Sequence, residues 1–268
     1  MPLHFDILTL FPGMFSGVLG ESIVARALAP ASSARAERLA SVDFTDIRAF
    51  ATDRHRSVDD RPYGGGPGMV FKPEPVLDAV EHVLSRAPAE ARDPWRRIVL
   101  TPQGSRLTQE KLRELAECRW IVLLCGHYEG FDERILDEVR EKHAFEELSV
   151  GDFVLSGGEI PAMLILDGVI RLLPGALGHP GSASAESFEN GLLDFPQYTR
   201  PPEYRGRRVP EVLLSGNHEL IEKWRRDASI RRTRERREDL LGDSSARGRD
   251  LRVRAAEDRM EGRTSWRS

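Results

Sequence analysis

Three glycine-rich segments in this chain have the residue types and spacing to form a ligand site. They are TPQGSR at 101–106, CGHYEGFDER at 125–134 and VGDFVLSGGE at 150–159. Each follows an apolar run typical of a buried parallel strand, and ligands of open α/β sheets bind at the carboxyl ends of such strands. The segments are rich in backbone groups and poor in charge, which favours a cationic ligand with an adenine ring over a phosphate. For any one segment, a tight turn that needs glycine is the alternative.

Motifs of several other enzyme classes are missing from the sequence. It contains no GxxxxGK[ST], GxSxG or HExxH motif, and its GGGPG run at 64–68 lacks the GxGxxG spacing of a dinucleotide site. Kinase, ATPase and hydride-transfer functions therefore lose their main support. Cys118 and Cys125 do not form a CxxC pair, so we expect both to be buried structural thiols and predict no metal site.

The elements that would position these segments alternate along the first half of the chain. Short β-branched runs alternate with helical patterns, two of which lie near 75–86 and 159–173. This alternation predicts an α/β fold with a parallel sheet. The polar stretch 51–69 and the stretch 31–37 are expected to be surface loops; the longer is either a binding loop or a simple connector.

A change in composition after Pro174 indicates a domain boundary. We expect a first domain over 1–175, a flexible Gly/Ser-rich linker over 176–198 and a small helical domain over 199–268. The last domain should contain a helix that begins after Asn217, with an apolar face formed by Leu220, Ile221, Trp224 and Ala228. The tail from about Asp243 is expected to be partly disordered.

The formal net charge of −4 conceals a basic segment in the second domain. Residues 223–237 contain eight basic and two acidic side chains, a local charge of +6, which leaves −10 on the rest of the chain. This asymmetry is typical of a protein that binds RNA phosphates locally. The sequence shows neither a membrane-spanning run nor a signal peptide, so we expect a cytoplasmic protein with neither a membrane nor DNA as a partner.

Seven motifs follow one another between residues 53 and 225, within a similarity that runs from near residue 4 to about residue 240: DRHRSVDDRPYGGGPGM, TPQG, LLCGHYEGFDER, VGDFVLSGGEIPAM, LLPGALGH, GLLDFPQYTRPPEY and VPEVLLSGNHELIEKWR. Together they resemble the bacterial tRNA guanine-N1 methyltransferase family, often called TrmD, of the SPOUT superfamily. The resemblance implies a parallel α/β sheet with a deep trefoil knot that holds S-adenosylmethionine. It also implies a homodimer with an active site shared between subunits, a tRNA anticodon branch as substrate, and assistance by Mg²⁺.

The resemblance also assigns residues to the cofactor. The matching positions are Leu100, Thr101, Pro102, Gly126, Tyr128, Glu129, Val150, Gly151, Asp152, Phe153, Val154, Leu155, Gly157, Gly158 and Pro161. Among them, Glu129 would face the positive charge of the cofactor's methionyl ammonium group. A solvated turn carboxylate is the alternative for this residue.

The reaction implied by the resemblance is methylation of guanine N1 in the nucleoside 3′ of the anticodon. Because N1 carries a proton at neutral pH, the transfer needs a base. The family's base is an aspartate just before Ser-Phe, and this chain has Glu186 there. The longer side chain changes the geometry, and a displacement of ~1 Å can cost ~100-fold in rate. Asp194 is the reserve candidate.

Two further groups of residues complete the predicted site. Arg171 matches the family's catalytic arginine, which would stabilise charge on guanine O6, although an ordinary helix ion pair with Asp167 is the alternative. The resemblance places Arg54, His55, Arg56 and Asp59 against RNA, and the alternative is a solvated charged loop. We expect the target base to leave its stack to reach the site.

Two other functions remain open from the residues. One is a SPOUT enzyme that methylates the ribose 2′-oxygen, which would share the glycine-rich segments. The other is an RNA-binding protein with weak catalysis, suggested by the glutamate at position 186.

Overall fold

The computed structural model describes residues 2–30, 38–87, 95–177, 186–188 and 190–242. The chain divides into two compact units, Met1–Pro180 and Gly181–Ser268, called here the N-terminal and C-terminal units. The boundaries at 175 and 198 stay predictions. The expected loop at 31–37 and the tail after residue 242 lie outside the described residues.

A parallel sheet forms the centre of the N-terminal unit. Within the described residues its strands are β1 (Leu3–Thr9), β2 (Ala40–Asp46), β5 (Trp95–Arg106), β6 (Trp120–Cys125) and β7 (Glu146–Ser149), in the order β2-β1-β6-β5-β7. Every pair of neighbours is parallel. A separate short hairpin joins β3 (Asp59–Asp60) to β4 (Val70–Phe71). The predicted α/β class is confirmed, and the hairpin is a regular element that the polar stretch 51–69 did not predict.

Helices connect the strands. They are α1 (Ser16–Gly20), α2 (Ser22–Leu28), α3 (Pro73–Ser85), α4 (Gln109–Ala116), α5 (Glu133–His143) and α6 (Glu159–Ile170), with 3-10 turns at Pro12–Phe15 and Ile47–Phe50. The helices predicted near 75–86 and 159–173 are α3 and α6. Helix α3 begins two residues earlier than expected because Pro73, like Pro75, suits a first turn that needs no backbone N–H donor.

Two apolar layers cover the sheet. Helices α2, α4 and α6 pack on one face, and α3 and α5 pack on the other. Strand β6 contributes alternate residues to the two layers, so that Ile121 and Leu123 face one and Val122 and Leu124 face the other. Burial on both faces explains the unbroken apolar sequence of this strand.

The C-terminal unit is mainly helical in its described part. It contains α7 (Glu211–Leu214), α8 (His218–Arg236) and α9 (Asp239–Gly242), with a hairpin of β8 (Glu203–Tyr204) and β9 (Arg207–Arg208). Helix α8 begins after the predicted cap, because Asn217 Oδ1 accepts a hydrogen bond from Leu220 N at 3.2 Å. Ala228 is buried as expected, whereas Leu220 is 50% exposed. No helix in the described ranges of either unit is long and apolar enough to span a membrane.

Candidate functional site

The first glycine-rich segment forms a bulge inside β5. Leu100 and Ser105 both pair with Leu148 of β7, so residues 101–104 project out of the sheet. Gly104 permits this path, because a Cβ there would lie 2.3 Å from the backbone nitrogen of Leu148. The segment was predicted as a loop beyond the strand. It lies inside the strand because β5 returns to pair with β7 after the bulge.

The third segment lies directly on the second. Gly158 N donates to Gly126 O at 2.7 Å, and His127 forms an antiparallel bridge with Gly157. A Cβ on Gly158 would lie only 2.7 Å from Cys125 Cα. This close backbone approach therefore requires a residue without a side chain.

The end of the long polar loop also reaches the second segment. Glu129 N donates to Met69 O, and Phe71 N donates to Gly130 O, both at 3.0 Å. Gly68 has a φ of +85°, and a Cβ there would overlap the side chain of Glu129. Gly68 and Met69 therefore pack against Glu129, the carboxylate predicted to face the cofactor.

The three segments surround a cavity of about 290 Å³. All the residues predicted to bind the cofactor line this cavity except Asp152. The structure thus brings together Leu100, Thr101, Pro102, Gly126, Tyr128, Glu129, Val150, Gly151, Phe153, Val154, Leu155, Gly157, Gly158 and Pro161. The carboxylate of Asp152 instead forms an ion pair with Arg106 and is largely exposed.

Sequence reasoning missed other lining residues. They are Gln103, His127, Gly130, Phe131, Glu133, Leu136, Leu148, Ser149 and Ser156. Most belong to the three segments or adjoin them, so taking each segment whole would have found them. Leu136 and Leu148 come from α5 and β7, where an apolar residue signals only core packing.

A buried carboxylate that sequence reasoning also missed lies beside the cavity. Glu159, the first residue of α6, is 1% exposed, and its Oε1 accepts a hydrogen bond from Thr9 Oγ1 at 2.7 Å. Its Oε2 has no hydrogen-bond partner among the described residues. A Cβ on Gly157 would lie 2.4 Å from this oxygen and 2.5 Å from His127 Cδ2, so the carboxylate and the imidazole flank the glycine. An acidic residue at the start of an apolar helix was the available signal.

Burial and hydrogen bonding shift the pKa values of several groups in the N-terminal unit. Burial raises the pKa of the Cys118 and Cys125 thiols, and the prediction that both are free and buried is confirmed. Asp132 caps α5 and accepts two hydrogen bonds from the Arg134 guanidinium at 2.8 and 2.7 Å. That pairing is the main reason why the pKa of Asp132 is lowered.

The predicted RNA-binding residues lie on a turn organised by Asp53. Its carboxylate accepts hydrogen bonds from His55 N at 2.8 Å and Ser57 N at 2.9 Å. Partial desolvation raises the pKa of Asp53, but these hydrogen bonds and Lys72 lower it below its ordinary value. Arg54, His55 and Arg56 are exposed.

Asp59 stands on the short hairpin opposite Phe71. The Phe71 ring stacks on Phe131 of the cavity lining with centroids 5.2 Å apart. The hairpin therefore links the predicted RNA loop to the cavity.

The predicted catalytic arginine is not among the residues that line this cavity. Arg171 follows the last residue of α6, is half-buried, and donates its backbone N–H to Asp167 O at 3.1 Å. Glu186 is a half-buried residue of the C-terminal unit. The reserve candidate Asp194 accepts hydrogen bonds from Phe195 N at 2.7 Å and Gln197 Nε2 at 3.1 Å.

The fold and the cavity define a class of protein. Strand β5 lies between β6 and β7, so the cavity opens where the strand order reverses, the usual ligand site of an open α/β sheet. The molecule is thus an α/β protein with a cavity formed largely by glycine-rich segments at this edge of its sheet.

Comparison with known proteins identifies the family. The model of the family described as tRNA (Guanine-1)-methyltransferase TrmD matches residues 3–243. The chain therefore belongs to the TrmD family, which confirms the resemblance seen in its motifs.

Named relatives agree with this assignment. The tRNA (guanine-N(1)-)-methyltransferase of Geobacillus kaustophilus (strain HTA426) is 52% identical over 90% of this chain and 92% of its own length. The protein of the same name from Bacillus subtilis (strain 168) is 52% identical over 90% and 93%. The one from Listeria monocytogenes serovar 1/2a is 50% identical over 89% and 92%.

Proposed function

We propose that this chain transfers a methyl group from S-adenosylmethionine to N1 of the tRNA guanosine that follows the anticodon on its 3′ side, position 37. Membership of the TrmD family and the names of its relatives support the reaction. The structural observation that carries the proposal is the cavity, because residues from three separate segments that resemble the family's cofactor positions lie around it.

The cavity suits S-adenosylmethionine in size and chemistry. Its volume of about 290 Å³ is near the lower end of small-ligand pockets. The glycine-rich segments offer backbone groups to the adenine ring and the ribose hydroxyls, while Tyr128 and Phe131 offer aromatic faces. Glu129 would pair with the ammonium group. When bound, the cofactor supplies an electrophilic methyl group on a positively charged sulfur.

Two side chains would perform the chemistry at guanine. Glu186 accepts the N1 proton, so that the freed electron pair on N1 can form the bond to the methyl carbon while sulfur keeps the pair of the broken bond. Arg171 donates hydrogen bonds to O6, where negative charge increases as the proton leaves. Glu186 and Arg171 would thus act on the two polar atoms bonded to C6 of the same guanine, N1 and O6.

The length of α6 supports an active site shared between two subunits. Pro161 in its first turn lines the cavity, whereas Arg171 follows its last residue. Twelve helical residues span ~18 Å, too far for one side chain to bridge. The arginine and the cavity of one active site would therefore come from different protomers of a homodimer. Ile160 and Leu164 of α6 are 42% and 49% exposed, which suits a helix covered by a second subunit.

The tRNA would contact both units. Arg54 and Arg56 are exposed on the turn that Asp53 organises, and the hairpin next to it touches the cavity lining. Helix α8 adds several exposed basic side chains. Such groups bind phosphate, and because salt competes with these contacts, the affinity for tRNA should fall as the salt concentration increases.

The trefoil knot and Mg²⁺ belong to the same proposal. The tight backbone packing of Gly158 on Cys125 and Gly126 supports an interlocked arrangement of the segments. Glu133 also lines the cavity, and a carboxylate together with water suits Mg²⁺. An ion there would add positive charge beside the substrate. Methyl transfer should then fall when EDTA is added and recover with MgCl₂.

The direct test uses S-adenosylmethionine with a labelled methyl group and two tRNA transcripts, one with guanosine 3′ of the anticodon and one with adenosine there. The expected result is label recovered as N1-methylguanosine from the first transcript alone. Label recovered as a 2′-O-methylated nucleoside would favour a ribose methyltransferase. Cofactor and tRNA binding without transfer would favour an RNA-binding protein.

The base is tested with Glu186→Gln. Loss of a general base costs about 10²–10⁴-fold, so the single-turnover rate should fall by that factor while cofactor affinity is retained. Glu186→Asp tests the departure from the family residue. A Glu186→Gln enzyme with the wild-type rate would rule this residue out as the base.

A further inference from the structure

The residues after Glu186 form a loop that is tied together at its ends. Phe188 N donates to Leu192 O at 2.7 Å, and Asp194 N donates to Ser187 Oγ at 3.0 Å. We call described residues 186–188 and 190–195 the base loop. Since the proposed base stands at its start, whatever holds this loop also restricts the carboxylate.

Side chains of α8 hold the base loop. Leu193 N donates to Thr233 Oγ1 at 2.9 Å, and Ser229 Oγ donates to Leu193 O at 2.6 Å. Thr233 Oγ1 also donates to Ser229 O at 2.8 Å, and Thr233 is completely buried. Arg232 donates to Asp194 O at 3.0 Å. Both polar backbone groups of Leu193 are therefore satisfied by this one helix.

The opposite face of α8 is basic. At 3.6 residues per turn, Ser229, Arg232 and Thr233 share one side of the helix. On the other side of the helix lie three exposed basic residues, Lys223, Arg231 and Arg234. The helix can therefore bind phosphates on one face while it holds the base loop on the other.

We propose that Thr233 and Ser229 are positioning residues for the methyl transfer. By fixing Leu193 they hold the base loop, and because the opposite face of α8 binds tRNA, the helix couples tRNA docking to the placement of the base. The inference rests on the proposed role of Glu186. Precise placement matters here because an error of ~1 Å in a reacting group can cost ~100-fold in rate.

The test compares variants from the two faces of α8. Thr233→Val keeps the side-chain shape but removes the hydroxyl, and we expect the single-turnover rate with saturating tRNA to fall about tenfold, part of the cost of misplacing a reacting group. Affinity for tRNA and cofactor should stay within about twofold, and Thr233→Ser should restore the rate. Arg234→Gln should instead weaken tRNA binding and reduce the salt slope by about 1. The matched control, Ser85→Ala, removes a hydroxyl that donates to His82 O in α3 and should leave both the rate and the tRNA affinity unchanged.

A double mutant separates positioning from general stability. If Thr233 acts through Glu186, adding Thr233→Val to Glu186→Gln should cost less than about a further twofold, because the two residues act as a unit. A further tenfold loss in the double mutant would overturn the proposal, as would a wild-type rate in Thr233→Val. If Thr233→Val does not fold, Ser229→Ala removes the second contact to Leu193 and is judged by the same criteria.

The outcome for the wild-type protein distinguishes the two proposals. A wild-type chain that makes no N1-methylguanosine overturns the proposed function and this inference together. An active wild type with an unaffected Thr233→Val variant overturns the positioning role alone.

Discussion

The cavity of the N-terminal unit and the base loop of the C-terminal unit are built in opposite ways. Backbone approaches shape the cavity, where Gly104 and Gly158 leave no room for a Cβ. Hydroxyl groups of Ser229 and Thr233 hold the base loop. Backbone segments in direct contact cannot make room for an added side-chain atom around the cavity. The hydrogen bonds from side chains to the base loop, by contrast, can be removed one at a time. The contrast predicts that one added methyl group in the cavity disturbs function more than the loss of one hydroxyl group at the base loop.

The largest effect is expected from Gly158→Ala. Its Cβ would lie 2.7 Å from Cys125 Cα, so the third segment must move. We expect the dissociation constant for S-adenosylmethionine, measured by calorimetry, to rise by roughly 10- to 100-fold, the equivalent of the 1–3 kcal/mol that overpacking costs. Gly17→Ala is the control, since its Cβ meets nothing within 4 Å. If Gly158→Ala bound S-adenosylmethionine as tightly as the wild type, close backbone contacts would not be what shapes the cavity.

Thr9→Val tests a side-chain contact within the backbone-built unit. It removes the hydroxyl that donates to the buried Glu159 carboxylate. We expect a loss of about 2 kcal/mol in the free energy of unfolding, the cost of a buried polar group without its partner. Urea denaturation measures it, and Thr9→Ser should lose less. An unchanged stability would show that Glu159 does not depend on this hydrogen bond.

Asp132→Ala should have a smaller effect that depends on pH. The cap contributes about 1 kcal/mol at neutral pH. Because the pKa of Asp132 is lowered in the folded protein, its stabilisation is present above the ordinary value of 3.8 and is lost as pH falls through the lowered value. Stability curves of variant and wild type should therefore converge below about pH 3.8. Curves that stay parallel would contradict the role of the ionised cap.

Asp194→Asn should have the smallest effect. Asp194 accepts hydrogen bonds within its own segment, so we expect a loss of about 0.5 kcal/mol in unfolding free energy and a methylation rate within twofold of wild type. A loss of about 100-fold or more would make Asp194, rather than Glu186, the base. The methylation rate of this variant therefore decides whether Glu186 or Asp194 acts as the general base.

Local patterns predicted some elements better than others. Strand β6 and helix α3 were evident, because an unbroken apolar run and an amphipathic repeat reflect each element's own burial. The hairpin at Asp59–Asp60 and the bulge at 101–104 were missed, because both depend on pairing with residues distant in sequence. The same limit applied to Glu159, whose partner Thr9 lies 150 residues away.

By itself, the sequence determined the α/β class, the three glycine-rich segments, the basic character of α8 and the family, because periodicity, composition and motifs are local properties. Only the tertiary structure decided that these segments surround one cavity, that Asp152 turns away to Arg106, and that Arg171 lies at the far end of α6. It also decided that Thr233 meets Leu193. The physical reason is that close approach and hydrogen bonding between distant residues depend on how the elements pack.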